Sequence, residues 1–487
     1  MATINQNDLR IKNAKNLIDS FNSPDGGALS YVFMGRVQPW EQENSPPQPQ
    51  NNYQTFYNTY DNLFAMKRIM NSDVYSMIPK ISWVSGTVYD YYRQDYSTER
   101  RSFTGASNLY DCKWVIRNSL NVVYVCLNNN GNTPSTVEPL NTSNEAFETS
   151  DGYQWQRVYT ITAGVYNTYG TDDFMPIQNN DVVSVTDGAI STVIVENPGA
   201  DFTNTPAGSQ TQVPYYYCNI DGDGVGAVAR VRVVFGSAIS VEVVRPGSGY
   251  TFATLNFTAD NSYASLSDLD TDTSPLNPAG DGTFSSTVII PPPGGWGSDL
   301  VRQLGATRVG VFSSLNFDLF NFFTGSFRQV GILQDMTVSQ TNPTSVNACY
   351  AVQIDKNNIL PGKIYASGET ITQVVTDSDN QSHIAKGTVI AYDSASGVIR
   401  YSQDSSNVDA DDTLYRFGGS AKITGLTTGL SASPTDYTGD LTDIPFIGGY
   451  SVPQVTAYSG YMTYLANVSP VVRDEQQTER ISLVIAF

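Results

Sequence analysis

A single histidine, His383, limits the hydrolytic chemistry that this 487-residue chain could carry. A Ser-His-Asp triad would have to use it as the base. It follows the polar run Asp377 to Ser382, far in sequence from any nucleophile motif, so a solvated loop histidine is expected. Zinc needs clustered Cys and His, and the four cysteines, Cys112, Cys126, Cys218 and Cys349, show no Cys-x-x-Cys spacing. Buried free thiols are expected of them rather than a disulfide framework. Asp221-x-Asp223 opens like a calcium loop, but the fifth position is Val225 and the twelfth Arg232, so a turn is expected there. The run Pro291-Pro292-Pro293-Gly294-Gly295-Trp296-Gly297-Ser298-Asp299 could suggest a phosphate cradle. It lacks the Lys-Ser/Thr of a P-loop and the Gly-x-Ser-x-Gly of a nucleophile elbow, which leaves a rigid turn anchored by Trp296. Carboxylate-only catalysis stays open, because Asp and Glu together number 47. No catalytic residue, cofactor or metal ligand is assigned.

The surrounding elements read as mostly strand. Ile11, Ala14, Leu17, Ile18 and Phe21 recur at helical spacing after an Asn7/Asp8 cap candidate and stop at Asn22-Ser23-Pro24. A second short helix is expected around Asp61 to Met70, with Leu63, Met66, Ile69 and Met70 inward. Val122 to Leu127 is apolar at every position, as in a strand buried on both faces. Ser45-Pro46-Pro47-Gln48-Pro49 and Asn128-Asn129-Asn130-Gly131 read as loops. An internal repeat follows: Val193-x-Val195-x-x-Pro198-Gly199-x-x-Phe202-Thr203 recurs 48 residues later as Val241-x-Val243-x-x-Pro246-Gly247-x-x-Tyr250-Thr251. Each copy predicts a strand, a Pro-Gly turn and an aromatic folding back over it. Two copies are too few for a free-standing solenoid, so they are expected to decorate a host domain. From about Ser345 to Gly449 the chain is rich in Ser, Thr, Asp and Gly, with strand candidates Gly387 to Tyr392 and Val398 to Tyr401, the pattern of a small barrel or sandwich.

Composition narrows the class of partner. The length suggests roughly three domains. Charged residues are 15% of the chain, while tyrosines number 30, so the surface is built from neutral polar and aromatic groups. A formal net charge of −20 argues against nucleic acid, because phosphate contacts need clustered Lys and Arg. Met1 to Asp8 has neither the basic start nor the apolar core of a signal peptide, and no run is long and apolar enough to insert in a bilayer as a helix.

Short aromatic and Gly/Pro motifs recur from one end to the other. They are Gly35-Arg36-Val37-Gln38-Pro39-Trp40, Ile78-Pro79-Lys80-Ile81-Ser82-Trp83, Asp151-Gly152-Tyr153-Gln154-Trp155, Phe327-Arg328-Gln329 and a closing stretch. The closing stretch reads Ser459-Gly460-x-Met462-x-Tyr464, then Asn467, Pro470 and Gln477-Thr478-Glu479-x-Ile481, ending at Phe487. In this order they resemble the baseplate wedge protein of contractile-tailed, T-even-like bacteriophages. The resemblance covers roughly residues 1–180, 295–340 and 455–487. It implies a structural protein of the virion tail baseplate, made and assembled in the host cytoplasm, which forms a homodimer and binds other wedge proteins without enzymatic activity. The second repeat copy, with its leading Gly222-Asp223-Gly224-x-Gly226-Ala227, resembles β repeats of phage tail and baseplate proteins.

The expected fold is mainly β with a few helices (α+β), multidomain, with β-sandwich or barrel-like domains and inserted β repeats. Its expected segments are 1–180, the N-terminal part of a shared core; 181–285, an inserted repeat module; 286–344, a return to the core; 345–454, an inserted β domain; and 455–487, a segment that completes the core. Core or interface candidates are Arg36, Pro39, Trp40, Pro79, Trp83, Tyr153, Trp155, Trp296, Phe327, Arg328, Gln329, Tyr464, Ile481 and Phe487. Core is favoured over subunit contact for Trp40, Trp83 and Trp155. Two other functions compete: a receptor- or glycan-binding tail protein using the β modules, and a carboxylate-dependent polysaccharide depolymerase. At the C-terminus Ile481, Leu483, Ile485 and Phe487 alternate with Ser482, Val484 and Ala486, which predicts a docked strand.

Overall fold

The computed structural model describes residues 6–21, 29–179, 181–202, 215–255, 280–314, 325–340, 343–441, 444–473 and 480–487. The fold is mainly antiparallel β with a few short helices. It divides into two compact units: Met1–Lys15, Tyr75–Gly310 and Val484–Phe487 form one, and Asn16–Val74 and Val311–Leu483 the other. The division cuts across the expected segments, since 1–180 contributes to both units.

Helix α1 (Gln6–Phe21) buries Ile11 and Ala14. It begins before Asn7 and Asp8, so these stand in its first turn instead of capping it. The expected stop, Asn22-Ser23-Pro24, lies outside the described residues.

In the first unit a four-strand sheet runs in the order Val115–Arg117, Val122–Asn128, Gln154–Thr160, Phe147–Glu148. Val122–Asn128 is interior and separates two cores, which explains its unbroken apolar sequence. Val123, Val125 and Leu127 pack with Trp114 and Trp296, while Val122, Tyr124 and Cys126 pack with Tyr89, Tyr153 and Trp155.

The two repeat copies form an interlocked pair. Strand Thr192–Asn197 pairs with Ser285–Ile289, and strand Ser237–Ser248 pairs with Val225–Val234. Phe202 N–H donates to Gly236 O (3.0 Å), and 48 residues on Tyr250 N–H donates to Gly188 O (3.2 Å). Likewise Ala238 N–H donates to Pro198 O and Ile190 N–H to Pro246 O. Reciprocal exchange of this kind is the mark of a local two-fold relation. The predicted fold-back of the aromatics holds. A Cβ at Gly199 would stand 2.9 Å from Phe202 Cε2, one at Gly247 2.9 Å from Tyr250 Cε2, and both glycines have positive φ. Val193, Phe202, Val231 and Tyr250 share one core, so the copies bury each other, within a compact unit that also holds the sheet around Val122–Asn128. Thr203 lies outside the described residues.

In the second unit a five-strand sheet runs in the order Ser345–Asn347, Leu63–Arg68, Ser30–Gly35, Gly325–Gln334, Tyr461–Arg473. Here the expected helix at 61–70 is corrected. The helix is α2 (Tyr53–Asp61), capped by Asn52, and Leu63–Arg68 is a strand with Leu63, Phe64, Ala65 and Met66 all buried. Apolar residues at 63, 66 and 69 fit a helix face equally well, and pairing on both sides decides for strand.

The Ser345 block starts inside this sheet and continues into a seven-strand sheet that closes on itself. Its strands run Ser431–Ala432, Ile423–Gly425, Thr370–Thr376, Ser382–Asp393, Val398–Ser402, Tyr350–Gln353, Tyr450–Ser451. Beyond Gln353 the chain turns to the opposite edge: Asp355 N–H donates to Ser433 O and Thr435 N–H to Gln353 O, both at 2.9 Å. Val352, Ile371, Val389, Ile399, Tyr401 and Ile423 fill the interior.

The C-terminal strand Arg480–Ala486 edges a further sheet with Arg308–Ser314, Val74–Pro79 and Phe174–Pro176. Ile481 and Leu483 are buried and Ser482 is exposed, as the alternation predicts, but Val484, Ile485 and Phe487 are all half-buried, and Phe487 N–H bonds Thr307 O.

Candidate interaction site

Three of the sequence motifs meet in the second unit. Gly35 pairs with Gln329, and Gln329 pairs with Asn467, so three chain segments separated by more than a hundred residues lie side by side. The side chains complete the join. Gln329 Nε2 donates to Asn467 Oδ1 (2.8 Å), and Asn467 Nδ2 donates to Pro47 O (2.7 Å). Register shifts between Phe327 and Gln329, where Val468 to Pro470 bulge out of the ladder. The bulge presents Val468 O to the Trp40 indole N–H at 3.0 Å. A proline has no N–H to give to a ladder, so Pro470 suits this position.

Arg328 is the hub. Its Nε lies 2.9 Å and its Nη2 2.6 Å from the two oxygens of Glu43, while Nη1 donates to Val37 O (2.6 Å) and Ser326 Oγ (2.7 Å). Bidentate pairing of this geometry is what an arginine fork supplies and an ammonium does not. The bond from Arg328 holds the Glu43 carboxyl below its usual pKa. Arg36, at φ 59°, places its guanidinium 4.0 Å from the Trp40 ring centroid. Burial pulls its pKa down, and Asp404 acts against that pull. Asp404, in the loop after strand Val398–Ser402, also accepts from Asn62 Nδ2 (2.9 Å). Pro39 is exposed, Trp40 and Tyr464 are half-buried, and Phe327 is buried.

Two other motifs meet in the first unit around Asp151. Its carboxylate accepts from Thr136 N–H (2.7 Å), Val137 N–H (2.9 Å) and Ser135 Oγ (3.1 Å), and the same Ser135 hydroxyl accepts from the Trp83 indole (3.1 Å). Desolvation raises the Asp151 pKa, but the Thr149 hydroxyl and these amides outweigh it, and the net shift is downward. Tyr153 and Trp155 are fully buried and stacked, with centroids 5.4 Å apart. Trp296 is fully buried against Tyr92 and Trp114, the anchoring role predicted for it, and Asp299 caps the following turn of helix through Arg302 N–H. Pro79 is exposed at a strand end.

The chemistry-bearing residues fall elsewhere. His383 is not on a solvated loop: it lies on strand Ser382–Asp393, half-buried and stacked on Tyr415 at 4.0 Å. Its Nε2 is 2.9 Å from Asp377 Oδ2, and its Nδ1 faces Asp411 at 3.7 Å and Asp409 at 4.0 Å. With carboxylates at both nitrogens, neither is aimed at a hydroxyl nucleophile. Asp377 is local, six residues away on the same hairpin, whereas Asp409 and Asp411 reach His383 from a later segment that sequence reading had no means to place beside it. Asp223 holds a turn, accepting from Thr251 N–H, Thr251 Oγ1 and Phe252 N–H, which brings its pKa to about 2. All four cysteines are buried free thiols. Gln477, Thr478 and Glu479 lie outside the described residues. Glu43 was also missed, and an acidic residue three places after Trp40 was its only signal.

Among the described residues no helix is long and apolar enough to cross a membrane. In comparison with known proteins, the chain matches no family model and no curated protein.

Proposed function

We propose that this chain is a structural component of a contractile-tail baseplate wedge in a T-even-like bacteriophage, located in the virion and acting through protein contacts. The observation that supports the reading is the convergence of the resembling motifs. Gly35 to Trp40, Phe327 to Gln329 and Tyr464 to Pro470 interlock through Arg328, Gln329, Asn467 and Trp40. Their roles are architectural, and none presents a paired acid and base. The resemblance adds a homodimer bound to neighbouring wedge proteins, with contacts that change by population shift when the baseplate rearranges.

A density map of the intact baseplate tests this directly: the chain should be found in the wedge as a two-fold pair. Light scattering of the purified protein should return a dimer, and a monomer throughout the micromolar range would sink that part. No hydrolysis of host polysaccharide is expected. Release of reducing ends that disappears on substituting one carboxylate would overturn it.

A further inference from the structure

Helix α2 turns Thr59 and Tyr60 inward and carries two adjoining rows of side chains outward. One row is aromatic. Tyr53 is 79% and Tyr57 45% exposed, their rings near-parallel with centroids 6.3 Å apart. The row continues onto Tyr458, whose ring meets Tyr57 edge-on at 5.0 Å and remains 46% exposed. The second row is amide. Gln54 and Asn58 are exposed, and Gln54 Nε2 donates to Asn58 Oδ1 at 2.9 Å. Asp61 closes the end of both rows and accepts from Tyr458 Oη at 2.6 Å.

Tyr458 stands at φ 62°, a backbone region that a bulky L-residue enters only at a cost. The fold holds it there. Tyr60 Oη bonds Ser459 O, Ser459 Oγ bonds Thr456 O, and Thr337 N–H bonds Ser459 Oγ. Strain is thus spent on keeping an aromatic ring at the surface, in line with Tyr57. Preorganisation of this kind lowers the ordering cost of binding.

We propose that α2 and Tyr458 form a binding platform for a neutral oligosaccharide, whose sugar rings lie on Tyr53 and Tyr57 while Gln54, Asn58 and Asp61 bond its hydroxyl pairs. Sugar rings present apolar C–H faces and rims of hydroxyls, and this surface sets aromatic faces beside side-chain amides in adjoining rows. A neutral ligand is favoured over an acidic one because residues 53 to 61 contain no Lys or Arg. Arg416, whose charge acts on Asp61, is itself tied to Gln403 Oε1 and the Tyr350 ring. The net charge of −20 also repels acidic polymers. The inference does not depend on the wedge reading.

The test is calorimetric titration of the full chain with maltohexaose, cellohexaose and chitohexaose, and with oligogalacturonate as the acidic probe. At least one neutral hexasaccharide should bind with little salt dependence. Tyr57→Ala should weaken it by roughly tenfold, the loss of one good ring contact, and Asn58→Ala by a smaller factor. Phe103→Ala, at an exposed aromatic in the other unit, should change nothing. Absence of binding by all three neutral probes, equal binding by Tyr57→Ala, or preference for oligogalacturonate would each overturn the proposal. So would a Tyr57→Ala protein changed only in its oligomeric state, which would make the platform a protein contact.

Discussion

Trp155 and Trp40 belong to motifs of similar composition, yet the two units use them differently. In the first unit Trp155 is sealed in an aromatic stack, and its indole N–H has no partner among the described residues. In the second, Trp40 is half-buried, carries Arg36 over its face and donates to a carbonyl freed by a bulge. The dry stack draws its strength from apolar area. The network draws its strength from paired donors and acceptors, each of which is costly to leave alone. A motif rich in Trp, Gly and Pro therefore does not fix the job of its tryptophan; the neighbouring strands do.

The largest effect should come from the dry side. Trp155→Ala or Trp296→Ala should destabilise the protein by about 3–5 kcal/mol in denaturant melts, the usual loss for a fully buried large aromatic. Trp40→Ala and Trp83→Ala, half-buried with one hydrogen bond each, should lose only about 1–2 kcal/mol. Equal losses for Trp155 and Trp40 would break the distinction.

Next in size is Arg328→Met, expected to lose about 2–3 kcal/mol because Val37 O and Glu43 are left without their donor. Arg328→Lys should recover little of it, since an ammonium cannot form the fork. Full recovery by lysine would mean that charge alone matters at this hub.

Acid should expose a feature that the two clusters share. Glu43 and Asp151 both have pKa values held below their usual range, so each contributes stability that is present above the unfolded carboxyl range, about pH 4. That stability is lost as pH falls through the depressed folded values. The melting temperature should therefore drop below about pH 4, and less steeply in Glu43→Gln and in Asp151→Asn. An unchanged acid slope in Glu43→Gln would remove the second cluster from this account.

The smallest effect lies within the paired repeats. Phe235 is fully exposed at φ 50°, while the position 48 residues earlier holds Asp187. Phe235→Asn should stabilise by about 1 kcal/mol, because asparagine tolerates the left-handed region. A lower melting temperature would show that Phe235 packs in solution.

Neighbours along the chain were enough to set several of these elements. The strand at Val122 to Leu127, the turns at Pro198-Gly199 and Pro246-Gly247 with their aromatics, the Trp296 anchor and the C-terminal alternation follow from local φ preferences and the two-residue period of a strand. Tertiary structure decided the rest. Leu63 to Arg68 became a strand because Ser30–Gly35 and Ser345–Asn347 pair with it on either side, and that pairing outweighs a pattern that fits a helix as well. With the helix displaced to Tyr53–Asp61, the tyrosine and amide rows were hidden from sequence reading, although Tyr53 and Tyr57 stand at helical spacing. His383 met Asp409 and Asp411, and Arg328 found Glu43, through contacts between residues far apart in the chain. Such pairings depend on register across sheets, and register is fixed only when the whole apolar face is buried at once.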